Sequence, residues 1–152
     1  MPNIFLGLGS NQGDREKNLL KAIDLISKIP TLNLVQSKIT ETEPYGFKEQ
    51  DCFLNMVLRG TTLLSPHKLL LAIKQIELKL GRKPTFHWGP RVIDIDILFY
   101  DDLILHEKDL VIPHPDLVNR LFVLAPLAEI APTFIHPVLQ KTILTLLTEY
   151  VA

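Results

Sequence analysis

The stretch that decides the fold is Arg91-Val92-Ile93-Asp94-Ile95-Asp96-Ile97-Leu98-Phe99. Its apolar character predicts a strand over 92–100. Side chains on a strand point to opposite faces in turn, so one face should carry Ile93, Ile95, Ile97 and Phe99. The two aspartates then share the other face.

The aspartate pair is the main functional signal. With a rise of ~3.3 Å per residue, the Cα atoms of Asp94 and Asp96 should lie roughly 6–7 Å apart. Two carboxylates at that spacing can reach one hard cation, or two cations that bridge phosphate oxygens. A solvated polar strand face is the plain alternative. Because aspartate is disfavoured in strands, we interpret the pair as a metal site.

The flanking segments predict a β-α-β-β-α-β order. Working outward, we expect strands over 4–8, 32–42 and 53–63, and helices over 19–29 and 65–80. The second helix should begin at Ser65-Pro66, a good cap and first-turn pair. This order is the ferredoxin-like arrangement of the α+β class, with its helices on one face of the sheet. Residues 103–105 should return as a hairpin arm, and two more helices are expected near 116–130 and 138–150.

Length and composition fit one packed domain. The 152 residues are 47% hydrophobic, and 16 basic side chains oppose 17 acidic ones. We therefore expect a single domain over 1–152. The net charge of −1 argues against a chain-wide basic surface for nucleic acid or membranes. Cys52, the one cysteine, excludes an internal disulfide. With no signal peptide or membrane-spanning run, a cytoplasmic monomer is the expectation.

Basic side chains precede the aspartates. Between Leu78 and Val92 the sequence has four cationic residues and no acid: Lys79, Arg82, Lys83 and Arg91. Guanidinium groups match the geometry of phosphate oxygens. A solvated basic loop is the alternative, but beside paired carboxylates a metal-phosphate site explains both features. His114, held between two prolines and close to Arg120, is a further candidate phosphate ligand.

The glycines near the start do not make a nucleotide motif. Gly7, Gly9 and Gly13 have the spacing G-x-G-x-x-x-G, one residue too long for the dinucleotide fingerprint. There is also no P-loop. The glycines are expected to allow a tight turn and close packing.

Several motifs in order resemble one family. They are Gly9-Ser10-Asn11, Phe53-Leu54-Asn55, Gly81-Arg82, Trp88-Gly89-Pro90-Arg91 leading into the aspartate strand, Ile112-Pro113-His114-Pro115, Asn119-Arg120 and Ala125-Pro126-Leu127. Together the sequence resembles the 6-hydroxymethyl-7,8-dihydropterin pyrophosphokinases of folate biosynthesis. The resemblance covers nearly the whole chain and implies transfer of pyrophosphate from ATP to the hydroxymethyl group of the pterin, leaving AMP.

The resemblance also implies roles for individual residues. Asp94 and Asp96 would hold two magnesium ions, and Arg82 and Arg91 would stabilise the phosphates during transfer. ATP would be bound by Trp88, Ile97, His114 and Arg120, with Ile97 against the adenine and Trp88 on a closing loop. The pterin pocket would be formed by Thr42, Tyr45, Gly46, Phe53, Asn55 and Phe122, with the two phenylalanines stacking on the ring.

Two other functions remain open from the residues alone. One is a non-catalytic ferredoxin-like module that binds nucleotide or RNA on its sheet. Its central strand would carry a basic-aromatic pattern, whereas Asp94 and Asp96 would repel phosphate unless a metal intervenes. The other is a different magnesium-dependent phosphotransferase on the same scaffold, because fold does not fix function.

Overall fold

The sheet is antiparallel and its first strand lies near the middle. A computed structural model describes residues 1–42, 52–82 and 91–152. The main strands are β1 (Asn3–Ser10), β2 (Thr31–Gln36), β3 (Thr40–Thr42), β4 (Phe53–Thr62) and β5 (Asp94–Tyr100). They pair in the order β2-β4-β1-β5, and the short β3 also pairs with β4. β1 therefore pairs with both β4 and the aspartate-bearing β5.

Two helices complete the ferredoxin-like core. Helix α1 (Arg15–Ser27) is capped by Asp14, which accepts from the Lys17 N–H, and α2 (Pro66–Lys79) is capped by Ser65. The predicted α+β class and the start of the second core helix are confirmed. β1 runs on through Ser10, so the turn begins two residues later than expected.

The predicted strand over 32–42 is two strands. Between β2 and β3, Ser37 is buried and its hydroxyl accepts from the Val57 N–H at 2.9 Å. A side-chain oxygen thus takes the place of a strand carbonyl at this point, and the regular pairing with β4 is interrupted.

Apolar side chains pack on both faces of the sheet. Helices α1 and α2 cover one face, and we call their contact with it the first core: Leu19, Ile26, Leu69 and Ile73 against Ile4, Leu6, Met56 and Ile95. On the opposite face, C-terminal elements form the second core with Phe5, Val57, Leu98 and Phe99. The prediction of helices on one face therefore holds for the two core helices alone.

A bulge in β5 changes which face its residues take. Phe5 pairs with Phe99 and Leu6 pairs with Ile97, so Leu98 is the extra residue. Before the bulge, Ile95 and Ile97 point into the first core. After it, Phe99 points into the second core, where its ring meets Phe5 edge-on at 5.8 Å. The prediction that Phe99 shares a face with Ile97 was wrong, because strict alternation ends at Leu98.

The hairpin after β5 pairs differently from the prediction. Strand β6 (Leu105–His106) pairs with β7 (Val111–Ile112) in a separate two-stranded sheet. The predicted return arm over 103–105 was therefore wrong in its partner. The chain turns away after Asp101, which has a positive φ of 49° and whose carboxylate accepts from the Asn3 N–H.

Both C-terminal helices are shorter than predicted. The first consists of a 3₁₀ turn (Leu117–Asn119) and α3 (Leu121–Ile130), separated by Arg120 in an extended conformation. The second, α4 (Ile143–Val151), begins after Thr142, whose hydroxyl accepts from the Thr145 N–H. The segment before it is held by an isolated bridge between Ile135 and Thr142. In the part of the chain that the structure describes, no helix is long and apolar enough to cross a membrane.

Candidate active site

An open cleft lies on the second-core side of the sheet. Alternation along β1 turns Gly7 and Gly9 toward it, and β5 contributes both aspartates. The cleft brings together nine residues predicted from the sequence: Thr42, Phe53, Asn55, Arg91, Asp94, Asp96, His114, Arg120 and Phe122. The cleft is thus formed by residues from both ends of the ferredoxin-like core and from the first turn of α3.

Asp94 faces the arginines. Its Oδ1 lies 3.2 Å from Arg82 Nη1, and its Oδ2 lies 3.7 Å from Arg91 Nη1. Each carboxylate oxygen therefore has its own guanidinium. Through this contact Arg82 is next to the cleft, although it does not itself line it.

Asp96 carries a shifted titration. Its pKa is raised to about 7, first by burial and then by the negative charge of Asp94, while Arg120 opposes the shift. The side chain still has 36% of its surface exposed to the cleft. Two neighbouring carboxylates that repel each other are suited to sharing a cation.

The donor set fits a hard cation that is held partly by substrate. Asp94 and Asp96 supply oxygen ligands, and the residues described contain no group of three or more His, Cys, Asp or Glu side chains able to hold a metal. Magnesium keeps several waters and is bound in proteins through one or two carboxylates together with substrate phosphates. The residues present therefore fit magnesium with a polyphosphate.

Arg91 is fixed through its backbone. Asn11, which is buried, accepts from the Arg91 N–H at 2.7 Å and donates its own N–H to the Arg91 carbonyl at 3.1 Å. Arg91 Nε is buried and has no hydrogen-bond partner in the described part of the chain. A buried donor without an acceptor is costly, and a phosphate oxygen in the cleft would satisfy it.

A buried glutamate behind the cleft was missed in the sequence. Glu77 has only 3% of its side chain exposed, and its Oε2 accepts from both the Arg82 guanidinium and the Ile95 N–H. Burial raises the pKa of Glu77, whereas the Ile95 hydrogen bond and the Arg82 charge oppose that rise. The available signal was an acid beside Ile76 within the apolar stripe of α2.

His114 is positioned by its neighbours. Its N–H donates to the Leu98 carbonyl at 3.0 Å, and its Nδ1 accepts from the Asp116 N–H at 3.2 Å. Burial lowers the pKa of His114, and the charge of Arg120 lowers it further. A neutral ring with Nδ1 as acceptor carries its proton on Nε2, the atom 3.9 Å from Asp96 Oδ2. His114 therefore presents a donor to the cleft.

Aromatic and amide groups form the other half of the cleft. Phe53 and Phe122 line it, and Asn55 Nδ2 donates to Thr42 Oγ1 at 2.7 Å. The wall is closely packed at Gly9, where an added Cβ would lie 2.9 Å from Asn55 Oδ1. This half can hold a flat heteroaromatic ring between stacking faces and a few fixed polar groups.

Among the predicted site residues that the structure describes, two do not line the cleft: Arg82 and Ile97. Tyr45, Gly46 and Trp88 lie outside the described residues. Ile97 is 5% exposed and packs in the first core, because alternation places it opposite Asp96. The Ile97 side chain therefore does not line this cleft, and its contact with adenine stays a prediction.

Comparison with known proteins decides the family. The model of the 7,8-dihydro-6-hydroxymethylpterin-pyrophosphokinase (HPPK) family matches residues 5–132. The chain belongs to the HPPK family. The resemblance seen in the sequence is thereby confirmed.

Curated HPPK relatives are close in sequence. The 2-amino-4-hydroxy-6-hydroxymethyldihydropteridine pyrophosphokinase of Aquifex aeolicus is 47% identical over 141 residues, covering 93% of this chain and 88% of the relative. The Bacillus subtilis protein of the same name is 45% identical, covering 86% and 79%. The bifunctional protein FolKE of Lactococcus lactis is 47% identical but is covered to only 38% of its length.

Solved structures share the HPPK fold. The HPPK-DHPS protein of Plasmodium falciparum superposes with a TM-score of 0.77 over 99% of this chain and 45% of that one. The sequence identity is 18%, so this likeness supports the fold alone.

Proposed function

We propose that the cleft binds magnesium-ATP and 6-hydroxymethyl-7,8-dihydropterin side by side. As a member of the HPPK family, the chain is an ATP-dependent diphosphokinase: it transfers pyrophosphate from ATP to the hydroxymethyl group of the pterin, in folate biosynthesis. The observation that carries the site assignment is the joining of the two halves, because the carboxylates and cations lie in the same cleft as Phe53, Asn55 and Phe122.

Asp94 and Asp96 would hold two magnesium ions in the first half. When bound, the ions neutralise the triphosphate and orient it for attack at the β-phosphorus. The high pKa of Asp96 supports this role, since a cation would stabilise the carboxylate that burial and Asp94 disfavour.

The cationic residues would position the phosphates. Arg91 has a buried Nε available for a phosphate oxygen, and Arg82 is tied to the aspartate strand through Asp94. His114 offers its Nε2 proton, and Arg120 lines the same cleft. Trp88 would cover the nucleotide, and Ile97 would lie against the adenine. Phosphoryl transfer depends mainly on such positioning and charge stabilisation.

The aromatic half would bind the pterin. Phe53 and Phe122 would stack on the two faces of the ring, while Asn55 and Thr42 would contact its polar edge. Tyr45 and Gly46 would complete the border. This arrangement would direct the hydroxymethyl oxygen toward the aspartates. That oxygen would bond to the β-phosphorus and release its proton to solvent, while the bond from the β-phosphorus to the oxygen of the α-phosphate breaks and AMP leaves with that oxygen.

Chain organisation is also part of the proposal. The first and second cores share the same strands, since Ile4 and Leu6 point into one and Phe5 into the other. We therefore propose a single domain over 1–152 that unfolds in one transition. We also propose that the chain acts as a monomer. A cytoplasmic location fits the use of ATP.

The test is product analysis with ATP, magnesium and 6-hydroxymethyl-7,8-dihydropterin. AMP is expected in equal amount to the pyrophosphorylated pterin. Formation of ADP, or no product from folded protein, would contradict the proposal. Other alcohols in place of the pterin distinguish a different phosphotransferase.

Variants test the aspartate roles. Asp94→Ala and Asp96→Ala should each nearly abolish turnover, mainly through lost magnesium-dependent ATP binding. Asp102→Ala, a change of the same type in the turn after β5, is the matched control and should keep full activity. If magnesium dependence were unchanged in both cleft variants, the carboxylates would not be the metal ligands.

A further inference from the structure

Arg15 occupies an unfavourable place for a cation. It is the first residue of α1, where the helix dipole is positive. Its guanidinium instead reaches across to two acceptors on other elements. Nη1 donates to the Cys52 carbonyl at 2.7 Å, and Nη2 lies 2.9 Å from Glu41 Oε2. These two contacts offset the unfavourable position, and we call them the Arg15 clamp.

The Arg15 clamp joins β3 to the residue just before β4. Glu41 is the middle residue of β3, and Cys52 immediately precedes β4. β3 has only three residues, and in the described part of the chain it pairs with β4 alone. A strand so short has few interactions to hold its register, so a link from a rigid helix contributes much of its order.

The residues next to the clamp belong to the pterin half of the cleft. Thr42 follows Glu41, and Phe53 follows Cys52; the two are paired across the strands. Thr42 Oγ1 then accepts from Asn55 Nδ2. Arg15 itself is not among the residues that line the cleft. Its effect on a ligand must therefore pass through the position of these neighbours.

We propose that Arg15 is a positioning residue for the pterin pocket, acting by holding β3 in register against β4. The inference rests on the proposed function of Thr42, Phe53 and Asn55 in pterin binding. A guanidinium suits this task because its fork of donors serves two acceptors at once, whereas a lysine ammonium is a point charge on a flexible stem.

The expected effect is a modest loss of pterin affinity. When the binding-competent conformation is populated only in part, the apparent Kd rises by the inverse of that fraction. The Arg15 and Glu41 side chains are 29% and 55% exposed, so the ion pair is partly screened by water. We therefore expect Arg15→Ala to raise the pterin KM by about three- to tenfold. The kcat and the KM for ATP should stay within about twofold of wild type.

Five variants separate the clamp from a general change in charge. Arg15→Ala and Glu41→Ala should raise the pterin KM, and the double variant should show less than the product of the two increases. Arg15→Lys should recover part of the affinity. Lys17→Ala is the matched control, because it removes the same charge from an exposed side chain in the same helical turn.

Amide hydrogen exchange tests the clamp without any ligand. In Arg15→Ala, the β3 amides should exchange faster than in wild type, while those of β1 should not change. Unchanged exchange in β3, or a Lys17→Ala variant that weakens pterin binding equally, would overturn the clamp. If β3 loosens but the wild-type protein binds no pterin, the proposed function is refuted, and with it the role of the clamp in pterin binding.

Discussion

Substituting Gly9 by alanine should selectively weaken pterin binding. An added Cβ would lie 2.9 Å from Asn55 Oδ1 and 3.5 Å from Phe53 Cδ1. The second distance is ordinary contact, whereas the first is closer than real Cβ contacts allow. Asn55 must therefore move back by about 0.5 Å to reach the 3.4 Å at which ordinary contact begins.

The size of the effect follows from the hydrogen bond that this shift disturbs. Asn55 Nδ2 donates to Thr42 Oγ1 at 2.7 Å. A movement of about 0.5 Å can lengthen that bond to about 3.2 Å, the outer end of the usual range for an N–H donor. Losing such a bond outright costs about 1 kcal/mol, and weakening it costs no more than that. Since ~1.4 kcal/mol is a tenfold change in affinity, the pterin KM should rise by up to about fivefold.

Gly7→Ala is the matched control. Gly7 also lines the cleft from β1, but an added Cβ there would meet Leu98 Cδ2 at 3.4 Å, an ordinary contact. Initial rates of AMP formation, measured while pterin or ATP is varied, give both KM values for each variant. Gly9→Ala should change only the pterin KM. The reasoning would be refuted if Gly9→Ala bound pterin like wild type, or if Gly7→Ala weakened it equally.

Three further perturbations concern stability. Glu77→Ala leaves the Ile95 N–H and Arg82 without their buried acceptor, so the free energy of unfolding in urea should fall by about 2–3 kcal/mol. Glu77→Gln should lower that free energy by less. Equal decreases in the two variants would argue against a charge effect. Burial lowers the pKa of His136 below 6.5, and its Nδ1 accepts two backbone N–H groups, so the neutral ring is favoured in the folded state. As the pH falls, the unfolded chain therefore binds a proton before the folded chain does, and the free energy of unfolding should decrease below pH 6.5. His136→Gln should reduce this pH dependence. If wild type showed no such dependence, the assignment of a neutral His136 would be contradicted. Phe99→Ala should cost about 3–5 kcal/mol in the same unfolding assay, because Phe99 is fully buried in the second core; a loss below about 1 kcal/mol would contradict that packing.

Local patterns were sufficient for much of the fold and for the centre of the site. Alternation along one strand predicts that Asp94 and Asp96 share a face, and the structure places both on the wall of one cleft. Ser65 and Pro66 favour the start of a helix through local capping geometry, which does not depend on the surrounding fold. These predictions succeed because they need only the geometry of a single element.

The errors occurred where one element depends on another. The face taken by Phe99 is set by the register of β5 against β1, and no residue within β5 reports that register. Likewise, Leu105 could have paired with β5 or with a later segment, and the turn at Asp101 decides between them. The split of the predicted strand at Ser37 follows from a hydrogen bond to Val57, twenty residues away.

Supporting residues were the hardest to find from the sequence. Glu77 contacts Arg82 nearby but also Ile95 on another element. Arg15 meets Cys52 and Glu41 only after the chain has folded. Side chains of this kind carry no local pattern, because their partners are brought together by tertiary packing.

The bulge at Leu98 makes the length of β5 a constrained property of this protein. Asp94 and Asp96 in the first half of the strand line the cleft. Leu98 and Phe99 in the second half lie on the same face and pack in the second core. A conservative substitution leaves this division intact. Deleting Leu98 would restore simple alternation and leave Phe99 on the second-core face, but that core would lose a buried side chain. During sequence divergence, loss of a residue from β5 should therefore be tolerated only where another side chain fills the place of Leu98.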